Sequence, residues 1–328
     1  MHRFLFALDP EAAHGLALGL LALWSERGPL LEVPARLLRV EDPRLRVEAF
    51  GVSFPNPLGL AAGMDKDARA LGAWWALGFG FAEVGTLTPR PQVGNPKPRL
   101  FRLVEDRALI NRMGFNNGGQ AAALPRLQAS QGRGLIGVNI GANKDAVDRI
   151  ADYAMGVRQM APVASYLTVN ISSPNTPGLR ALQDEGALTE LLCAVRDARP
   201  ADGPPVFLKV APDLEPADID AIARLSVGMV DGLIVSNTTI SRPTLSSGHA
   251  AEGGGLSGAP LRDLAQQRMR DFAKATGLTL DLTARGMGLR SNRYSMLIKD
   301  GKVATLNIEG PGKFEVSDAD TMLSQAKA

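Results

Sequence analysis

Six short apolar segments between residues 58 and 238 constrain the fold more than any other feature of this sequence. They are LGLAAG (58–63), FAEVGT (81–86), LIGVNIG (135–141), LTVNIS (167–172), VFLKVAP (206–212) and GLIVSNT (232–238). Apolar runs without polar alternation are typical of strands covered on both faces, as in parallel sheets built from βα units. Helical patterns over residues 187–199 and 216–225 lie between some of them. The sequence therefore predicts an α/β protein with a parallel sheet.

Two architectures fit six βα units, a doubly wound sheet and a (β/α)8 TIM barrel. A doubly wound sheet concentrates polar groups at a single crevice, whereas a barrel gathers the carboxyl ends of all its strands around one pocket. Polar residues stand at or near the ends of five different segments, which favours the barrel. These residues are Thr86, Asn139, Asn170, Lys209 and Asn237.

The amino-acid composition restricts the kinds of ligand that this chain can bind. Thirty-six basic and 34 acidic side chains give a net charge of +2, so the chain has no global field for a polyanion and nucleic-acid binding is not expected. One cysteine and three scattered histidines exclude an internal disulfide and argue against a metal site, so no metal is predicted. The strand ends offer amides, hydroxyls and a lysine, which suit a planar, anionic ligand.

The first 46 residues are predicted to form a small helical unit. Apolar residues recur at three- and four-residue steps from Phe4 to Trp24, and Asp9 before Pro10 is a candidate N-cap. No apolar run reaches the ~20 residues of a membrane span, and the pattern of a signal peptide is missing. Six arginines balance six acidic residues here, so charge does not decide between a helix packed on the main domain and one lying on a membrane.

Eight glycine- and asparagine-rich motifs follow in order. They are NPLGLAAGMDKD (56–67), GTLTPRPQVGNPKPRLFR (85–102), INRMGFNNGG (110–119), GVNIGANK (137–144), NISSPNTPGLR (170–180), LKVAPD (208–213), VSNTTISRP (235–243) and GGLSGAPL (254–261). From about residue 3 to about residue 270 the chain resembles the quinone-dependent, membrane-associated (class 2) dihydroorotate dehydrogenases. The resemblance implies a (β/α)8 barrel with FMN at its mouth and an N-terminal unit that forms the quinone entrance at the membrane.

The resemblance also implies roles for single residues. Ser173 in NISSPN would be the catalytic base, with Thr176 or a water as the nearest candidate relay for its proton. Soluble class 1 relatives have cysteine at this position, so serine favours the quinone-linked class. Substrate binding is implied for Lys66, Asn111, Arg112, Met113, Gly114, Phe115, Asn170, Asn175, Asn237 and Thr238. FMN binding is implied for Ala62, Gly63, Met64, Asp65, Lys66, Thr86, Asn139, Asn170, Lys209, Ser236 and Gly258.

The implied reaction is the oxidation of dihydroorotate to orotate in pyrimidine (UMP) biosynthesis. Ser173 would take a ring proton while the adjacent carbon gives hydride to the flavin, which a quinone then reoxidises. The implied partners are dihydroorotate, orotate, a quinone and the membrane. We expect a monomer, peripheral on the cytoplasmic face of the bacterial inner membrane.

Some of these residues also have plainer interpretations. Asn139 and Asn170 could cap the helices that follow their strands. Lys66 could form a surface ion pair with Asp65, and Ser173 before Pro174 could only shape a turn.

Residues 272–328 depart from the pattern. Arginine outnumbers lysine 24 to 4 up to residue 272, and after it the counts are 3 and 5. This tail resembles the C-terminal third of an atypical two-Cys peroxiredoxin without that family's active-site cysteine motif. A helix is predicted over about residues 261–276, and YSMLIKDGKVATLNI (294–308) predicts an antiparallel hairpin that turns at Asp300 and Gly301. The sequence lacks the glycine-rich turn and the tyrosine-bearing strand end that grip the flavin phosphate in the family.

The predicted domains are thus a helical unit (1–46), an incomplete FMN-binding barrel (47–271) and a foreign tail (272–328). LTLDLTA (278–284) and YSMLI (294–298) are candidates to replace strands 7 and 8. Three functions stay open: a working class 2 enzyme, a catalytically silent barrel that binds flavin weakly or not at all, and an FMN barrel acting on another pyrimidine.

Overall fold

Strands and helices alternate along most of the chain, as the apolar segments predict. The computed structural model describes residues 6–26, 35–277, 279–282, 288–291, 294–299, 302–308, 315, 317, 321 and 324–325. Its strands are β1 (Val47–Ala49), β2 (Val52–Phe54), β3 (Gly59–Leu60), β4 (Phe81–Leu87), β5 (Leu100–Leu103), β6 (Ala108–Asn111), β7 (Leu135–Ile140), β8 (Tyr166–Asn170), β9 (Val206–Val210), β10 (Gly232–Val235), β11 (Gly255–Gly258), β12 (Thr279–Leu282), β13 (Gly288–Ser291), β14 (Tyr294–Lys299) and β15 (Lys302–Ile308). Its helices of six residues or more are α1 (Pro10–Ser25), α2 (Leu71–Ala76), α3 (Gln120–Ser130), α4 (Arg149–Met160), α5 (Glu185–Ala198), α6 (Pro216–Ser226) and α7 (Arg262–Ala275).

The six segments predicted as strands form one parallel sheet in the order β10-β9-β8-β7-β4-β3. Every residue of β8 and β9 is buried, because helices pack on one face of the sheet and Phe54 of β2 packs against Tyr166 and Phe207. Helices α4, α5 and α6 follow β7, β8 and β9 along the chain, as right-handed βα units require. The predicted α/β architecture with a parallel sheet is confirmed.

Local sequence signals start the helices where the structure has them. The carboxylate of Asp148 accepts a hydrogen bond from the amide of Ala151 and caps α4. Glu215 and Asp218 form a capping box at the start of α6, where Pro216 occupies the first turn. One large core lies between the helices and the sheet, and each large apolar side chain buried there stabilises the fold by roughly 1.5–3 kcal/mol.

Helix α1 begins where the sequence predicts. The carboxylate of Asp9 accepts from the amides of Glu11, at 3.0 Å, and Ala12, at 2.9 Å. Leu18 and Ala22 are buried against the main domain. The opposite face is apolar and exposed, and it presents Leu16, Leu20 and Leu23. No helix within the described ranges has the length and hydropathy needed to cross a bilayer.

A second, antiparallel sheet in the order β11-β6-β5 joins chain segments far apart in sequence. Gly255 of β11 pairs with Asn111 at the end of β6. An isolated bridge between Thr239 and Leu256 connects this sheet to the loop after β10. The antiparallel sheet therefore places Gly255 beside Asn111, while Gly258 lies opposite Ala108 at the other end of this pairing.

The described strands of the tail pair with one another. Helix α7 and the antiparallel pair β14–β15 confirm the predicted helix and hairpin, while the predicted turn at 300–301 lies outside the described residues. β12 pairs with β13 in antiparallel fashion, and no described strand of the tail pairs with the parallel sheet. The expectation that residues 278–284 and 294–298 replace strands 7 and 8 is therefore wrong for the strands described. Short connections favour antiparallel partners that are close in sequence.

Candidate active site at the carboxyl ends of the strands

Three buried polar side chains meet at the ends of adjacent strands β4, β7 and β8. The hydroxyl of Thr86 donates to Asn139 Oδ1 at 2.6 Å, and Asn170 Nδ2 donates to Thr86 Oγ1 at 3.0 Å and to Asn139 Oδ1 at 3.2 Å. Neither asparagine caps a helix, since α4 is capped by Asp148 and α5 follows Asp184. The capping interpretation is wrong, and the amides remain at the mouth of the sheet.

Glu83 supports this network from inside the sheet, and sequence reasoning missed it. Its carboxylate accepts from Asn139 Nδ2 at 2.8 Å, from Thr168 Oγ1 at 3.0 Å and from the Tyr166 hydroxyl at 3.2 Å. Burial, and then the charge of Glu83, raises the pKa of Tyr166 well above its ordinary value. An acidic residue in the middle of the apolar segment FAEVGT was the available signal, because buried carboxylates require several donors.

Gly63 and Lys66 line the loop after β3. Gly63 has φ +111°, its amide donates to the carbonyl of Gly85 at 2.9 Å, and a Cβ there would project into open space. Lys66 Nζ donates to the carbonyl of Gly63 at 3.0 Å. Burial, together with the charge of Arg99, lowers the pKa of Lys66. The loop thus presents backbone and one ammonium group to a ligand.

Asp65 does not pair with Lys66. Its fully buried carboxylate accepts from the amides of Arg69 and Ala70 and from Trp74 Nε1 at 2.7, 2.8 and 3.2 Å. These bonds hold Asp65 against the start of α2, so the ion-pair interpretation of Lys66 is wrong. The carboxylate of Asp65 is thus occupied by these three donors.

Lys209 is a buried cation on β9, with 9% of its surface exposed. It stands beside Asn170 in the register between β8 and β9. Within the described part of the chain its ammonium group has neither an ion pair nor a hydrogen bond. A cation at the end of a largely buried side chain, without a described protein partner, suits an anionic group supplied by a ligand.

The loop after β8 carries the predicted base. Ser173 is 5% exposed, and its Oγ accepts from the amide of Asn175 at 3.3 Å. Asn175 Nδ2 donates to Asn111 Oδ1 at 3.2 Å, which ties this loop to the end of β6. The hydroxyl of Thr176 is buried and finds no partner among the described residues. Ser173 therefore does shape a turn, yet its own proton remains free to be donated or exchanged.

The loop after β10 lies against the same place. Asn237 Nδ2 donates to the hydroxyl of Ser172 at 2.9 Å, and Asn237 Oδ1 accepts from the amide of Thr238 at 2.7 Å. Ser172 in turn donates to Asn170 Oδ1 at 2.9 Å. A continuous chain of hydrogen bonds therefore joins the ends of β4, β7 and β8 to the loop after β10, as convergence in a barrel requires.

The other predicted residues fall into three groups. Arg112 is engaged elsewhere, for it pairs with Glu252 at 2.7 Å and lies 4.5 Å over the ring of Phe101. Gly114 and Gly258 have positive φ values, and adding a Cβ at either would meet neighbouring atoms. The remaining predicted positions are buried or half-buried: Ala62, Met64, Met113, Phe115, Ser236 and Thr238. His14 of α1, which was not predicted, lies 2.7 Å from the carbonyl of Met64.

Comparison with known proteins decides the family. The sequence model described as Dihydroorotate dehydrogenase matches residues 44–292. This chain belongs to the dihydroorotate dehydrogenase family. It is 68% identical over 287 residues to the dihydroorotate dehydrogenase (quinone) of Thermus thermophilus, which covers 85% of this chain and 82% of that protein. It is 62% identical over 282 residues to the protein of the same name from Erythrobacter litoralis, with 85% and 80% covered.

Solved structures of the dihydroorotate dehydrogenase family agree with this result. The crystal structure of DHODH from Eimeria tenella in complex with ferulenol gives a TM-score of 0.74 at 40% identity, covering 82% of this chain and 77% of that chain. The ligand-free form from the same organism also gives 0.74 and covers 80% of that chain. The predicted barrel-type α/β fold and the predicted membership of the quinone-linked class are confirmed.

Proposed function

We propose that this chain is a quinone-dependent dihydroorotate dehydrogenase, which oxidises dihydroorotate to orotate in pyrimidine biosynthesis. One observation carries the proposal: a buried amide network and Lys209, a cation without a partner among the described residues, lie in the loops and strand ends that also hold Ser173. Relatives that are 58–68% identical over most of this chain bear the name dihydroorotate dehydrogenase (quinone).

The residues present fit the ring system of FMN. Gly63 leaves open space where a side chain would otherwise stand, and Lys209 offers charge at a buried position. When bound, FMN would accept hydride from the substrate and pass its electrons to a quinone. The positive charge of Lys209 would stabilise negative charge on the ring. We assign FMN contacts to Ala62, Gly63, Met64, the backbone of Asp65, Lys66, Thr86, Asn139, Asn170, Lys209, Ser236 and Gly258.

The amides around Ser173 suit a pyrimidine ring. Paired donors and acceptors can match its imide and amide edges without adding buried charge, and Lys66 supplies a cation for an acidic substrate. Ser173 takes the ring proton, and the unpartnered hydroxyl of Thr176 supports its role as the relay. We assign substrate contacts to Lys66, Asn111, Met113, Gly114, Phe115, Asn170, Asn175, Asn237 and Thr238, and to the backbone of Arg112.

We also propose that residues 1–46 form a peripheral membrane contact and the quinone entrance, on the cytoplasmic face of the bacterial inner membrane. The exposed apolar face of α1 supports this, since Leu20 is 60% exposed and Leu16 and Leu23 lie beside it. Further apolar residues stand exposed just after it, at Leu37, Leu38 and Val40. An apolar quinone would enter from the lipid along such a face.

The proposed domains are the helical unit (1–46), the FMN-binding barrel (47–271) and a peroxiredoxin-like tail (272–328) in a monomer. A second candidate function is a silent barrel with weak flavin binding. One observation favours it: the described parallel sheet has six strands, and the described tail strands pair with one another. Phosphate sites in barrels usually lie after strands 7 and 8.

Colour and quinone reduction together test both candidates. Purified protein is expected to carry flavin absorbance and to reduce a quinone when dihydroorotate is added. Ser173→Ala should retain the flavin and lose about 10²–10⁴-fold in rate, because a general base contributes that much. Ser226→Ala, which removes another buried hydroxyl, is the matched control and should keep the wild-type rate. Colourless protein would instead support the silent barrel.

A further inference from the structure

One arginine contacts three loops of the site. Arg180 follows the Ser173 loop, and its Nε donates to the carbonyl of Ser172 at 3.0 Å. Its Nη2 donates to the carbonyl of Thr238 at 3.1 Å, and its Nη1 pairs with Asp213 Oδ2 at 2.9 Å. The guanidinium group therefore joins the loops after β8, β9 and β10 at one point.

Asp213, the partner of Arg180 in this ion pair, is itself fixed by further hydrogen bonds. Its carboxylate accepts from the hydroxyls of Thr239 and Ser241 and from the amide of Ile240. Burial alone would raise the pKa of Asp213, but the hydrogen bonds from Thr239, Ile240 and Arg180 outweigh it and leave the pKa below its ordinary value. Asp213 is thus a carboxylate at neutral pH, and it fixes the loop that follows Asn237.

We infer that Arg180 and Asp213 form a positioning pair that sets the distance between the proton-accepting Ser173 and the substrate-binding Asn237. The inference rests on the proposed function, because it takes those two roles as given. The two carbonyls that Arg180 holds belong to Ser172 and Thr238, the immediate neighbours of Ser173 and Asn237. Neither Arg180 nor Asp213 is assigned a contact with the substrate.

The geometry requires arginine. Three N–H groups of one planar fork point to three acceptors on different loops, and the compact ammonium group of lysine cannot reach all of them at once. Misplacing a reacting group by about 1 Å costs on the order of 10²-fold in rate. Removing the fork should therefore slow proton removal while the flavin stays bound.

The chain offers a matched control at the other end of the same strands. Arg199 Nη1 pairs with Asp231 Oδ2 at 2.7 Å, and that oxygen also accepts from the amide of Val206 at 2.7 Å. This pair joins the amino ends of β9 and β10, away from the mouth. Its side chains are 28% and 33% exposed, against 21% and 11% for Arg180 and Asp213. Arg199→Gln should therefore perturb the fold in a similar way without moving the site.

Flavin-loaded Arg180→Gln, Arg180→Lys, Arg180→Ala and Arg199→Gln are to be compared with wild type. With saturating dihydroorotate, we expect the rate of flavin bleaching to fall about 10- to 100-fold in all three Arg180 variants and less than twofold in Arg199→Gln. Millimolar guanidinium should restore part of the rate to Arg180→Ala and none to Arg180→Gln. Amide exchange at residues 172–176 and 237–241 should rise in the Arg180 variants only.

Unchanged exchange in these two segments would overturn the inference, as would equal rates in Arg180→Gln and Arg199→Gln. Failure of wild type to bleach would count against the proposed function. The amide-exchange measurement would still show whether Arg180 and Asp213 position the two loops. If Arg180→Gln does not fold, Arg180→Lys with its retained charge provides the same comparison.

Discussion

At the residue scale, Lys209 shows a conflict between stability and function. Its side chain is largely buried, and its ammonium group has no partner among the described residues. Replacing buried charged groups by well-packed apolar side chains of similar volume is often neutral or stabilises a fold by about 1–4 kcal/mol. We expect flavin-free Lys209→Met to melt a few degrees above flavin-free wild type.

The same substitution should weaken flavin binding at least tenfold, because the cation is placed for an anionic ring. Calorimetry and flavin titration of both proteins measure the two effects. A variant that melts lower and binds flavin as tightly as wild type would contradict this account of Lys209.

The lowered pKa of Lys66 leads us to expect that orotate binding depends on pH. Its pKa is lowered from 10.5, chiefly by burial, so the folded protein loses this proton at a lower pH than the unfolded chain does. Between the two values the unfolded state holds more protons, and the contribution of Lys66 to stability rises with pH. The affinity for orotate changes in the opposite direction and falls as the pH rises, because the ammonium group that attracts the ligand is lost.

Orotate affinity is thus expected to decline as the pH rises towards 10.5, as followed by the flavin spectrum. Lys66→Arg keeps its charge throughout this range and should bind orotate with an affinity that changes little with pH. The same decline in Lys66→Arg would assign the titration to another group.

At the element scale, ion pairs of Glu11 with Arg99 and Lys97 help to dock α1, in addition to its apolar contacts. Glu11 accepts from Arg99 through both oxygens, at 2.7 and 3.1 Å, and Lys97 lies 3.3 Å away. The hydrogen bond from Arg99 is the main reason why the pKa of Glu11 lies below 4.5. A lowered carboxyl pKa gives stability that is present above 4.5 and is lost as the pH falls through the folded value.

We therefore expect Glu11→Gln to loosen α1 at neutral pH by about 1–3 kcal/mol, as acidification does in wild type below pH 4.5. Limited proteolysis within residues 10–25 reports this loosening. Asp42→Asn is the control, because within the described chain the carboxylate of Asp42 bonds only to its exposed neighbour Arg44. Equal protection of α1 in Glu11→Gln and wild type would show that apolar contacts suffice.

The elements differ in how far the sequence predicts them. The starts of α1 and α6 are predictable because the residues that start them act on backbone no more than four positions away in the sequence. These residues are Asp9 and Pro10 for α1, and Glu215 and Asp218 for α6. The antiparallel sheet was not predicted, because its strands have only four residues and Gly255 pairs with Asn111, far away in the sequence. Local patterns carry no information on such distant partners.

At the scale of the whole molecule, we expect the part of the tail beyond Gly277 to be dispensable for the fold of the barrel. The described strands of the tail pair with one another and leave β3 and β10 at the edges of the described sheet. A chain ending at Gly277 is therefore expected to keep its flavin absorbance and to melt within a few degrees of the full chain. Insolubility, or loss of the flavin, would show that residues beyond 277 close the sheet.

The candidate site was predictable only in part. Strand ends converge in a barrel, so Thr86, Asn139 and Asn170 could be placed together from the sequence. The residues that hold them could not, because Glu83 meets Thr168 and Arg180 meets Thr238 only through the fold. The supporting contacts of a site depend on tertiary structure, while its strand-end groups depend on local pattern.

Anaerobic mixing of flavin-loaded protein with dihydroorotate tests the central claim most directly. We predict that the flavin absorbance of wild type bleaches to completion without a quinone, and that Ser173→Ala binds orotate but bleaches at least 100-fold more slowly. Flavin that stays oxidised in wild type, or bleaches equally fast in Ser173→Ala, would contradict the assignment of this site.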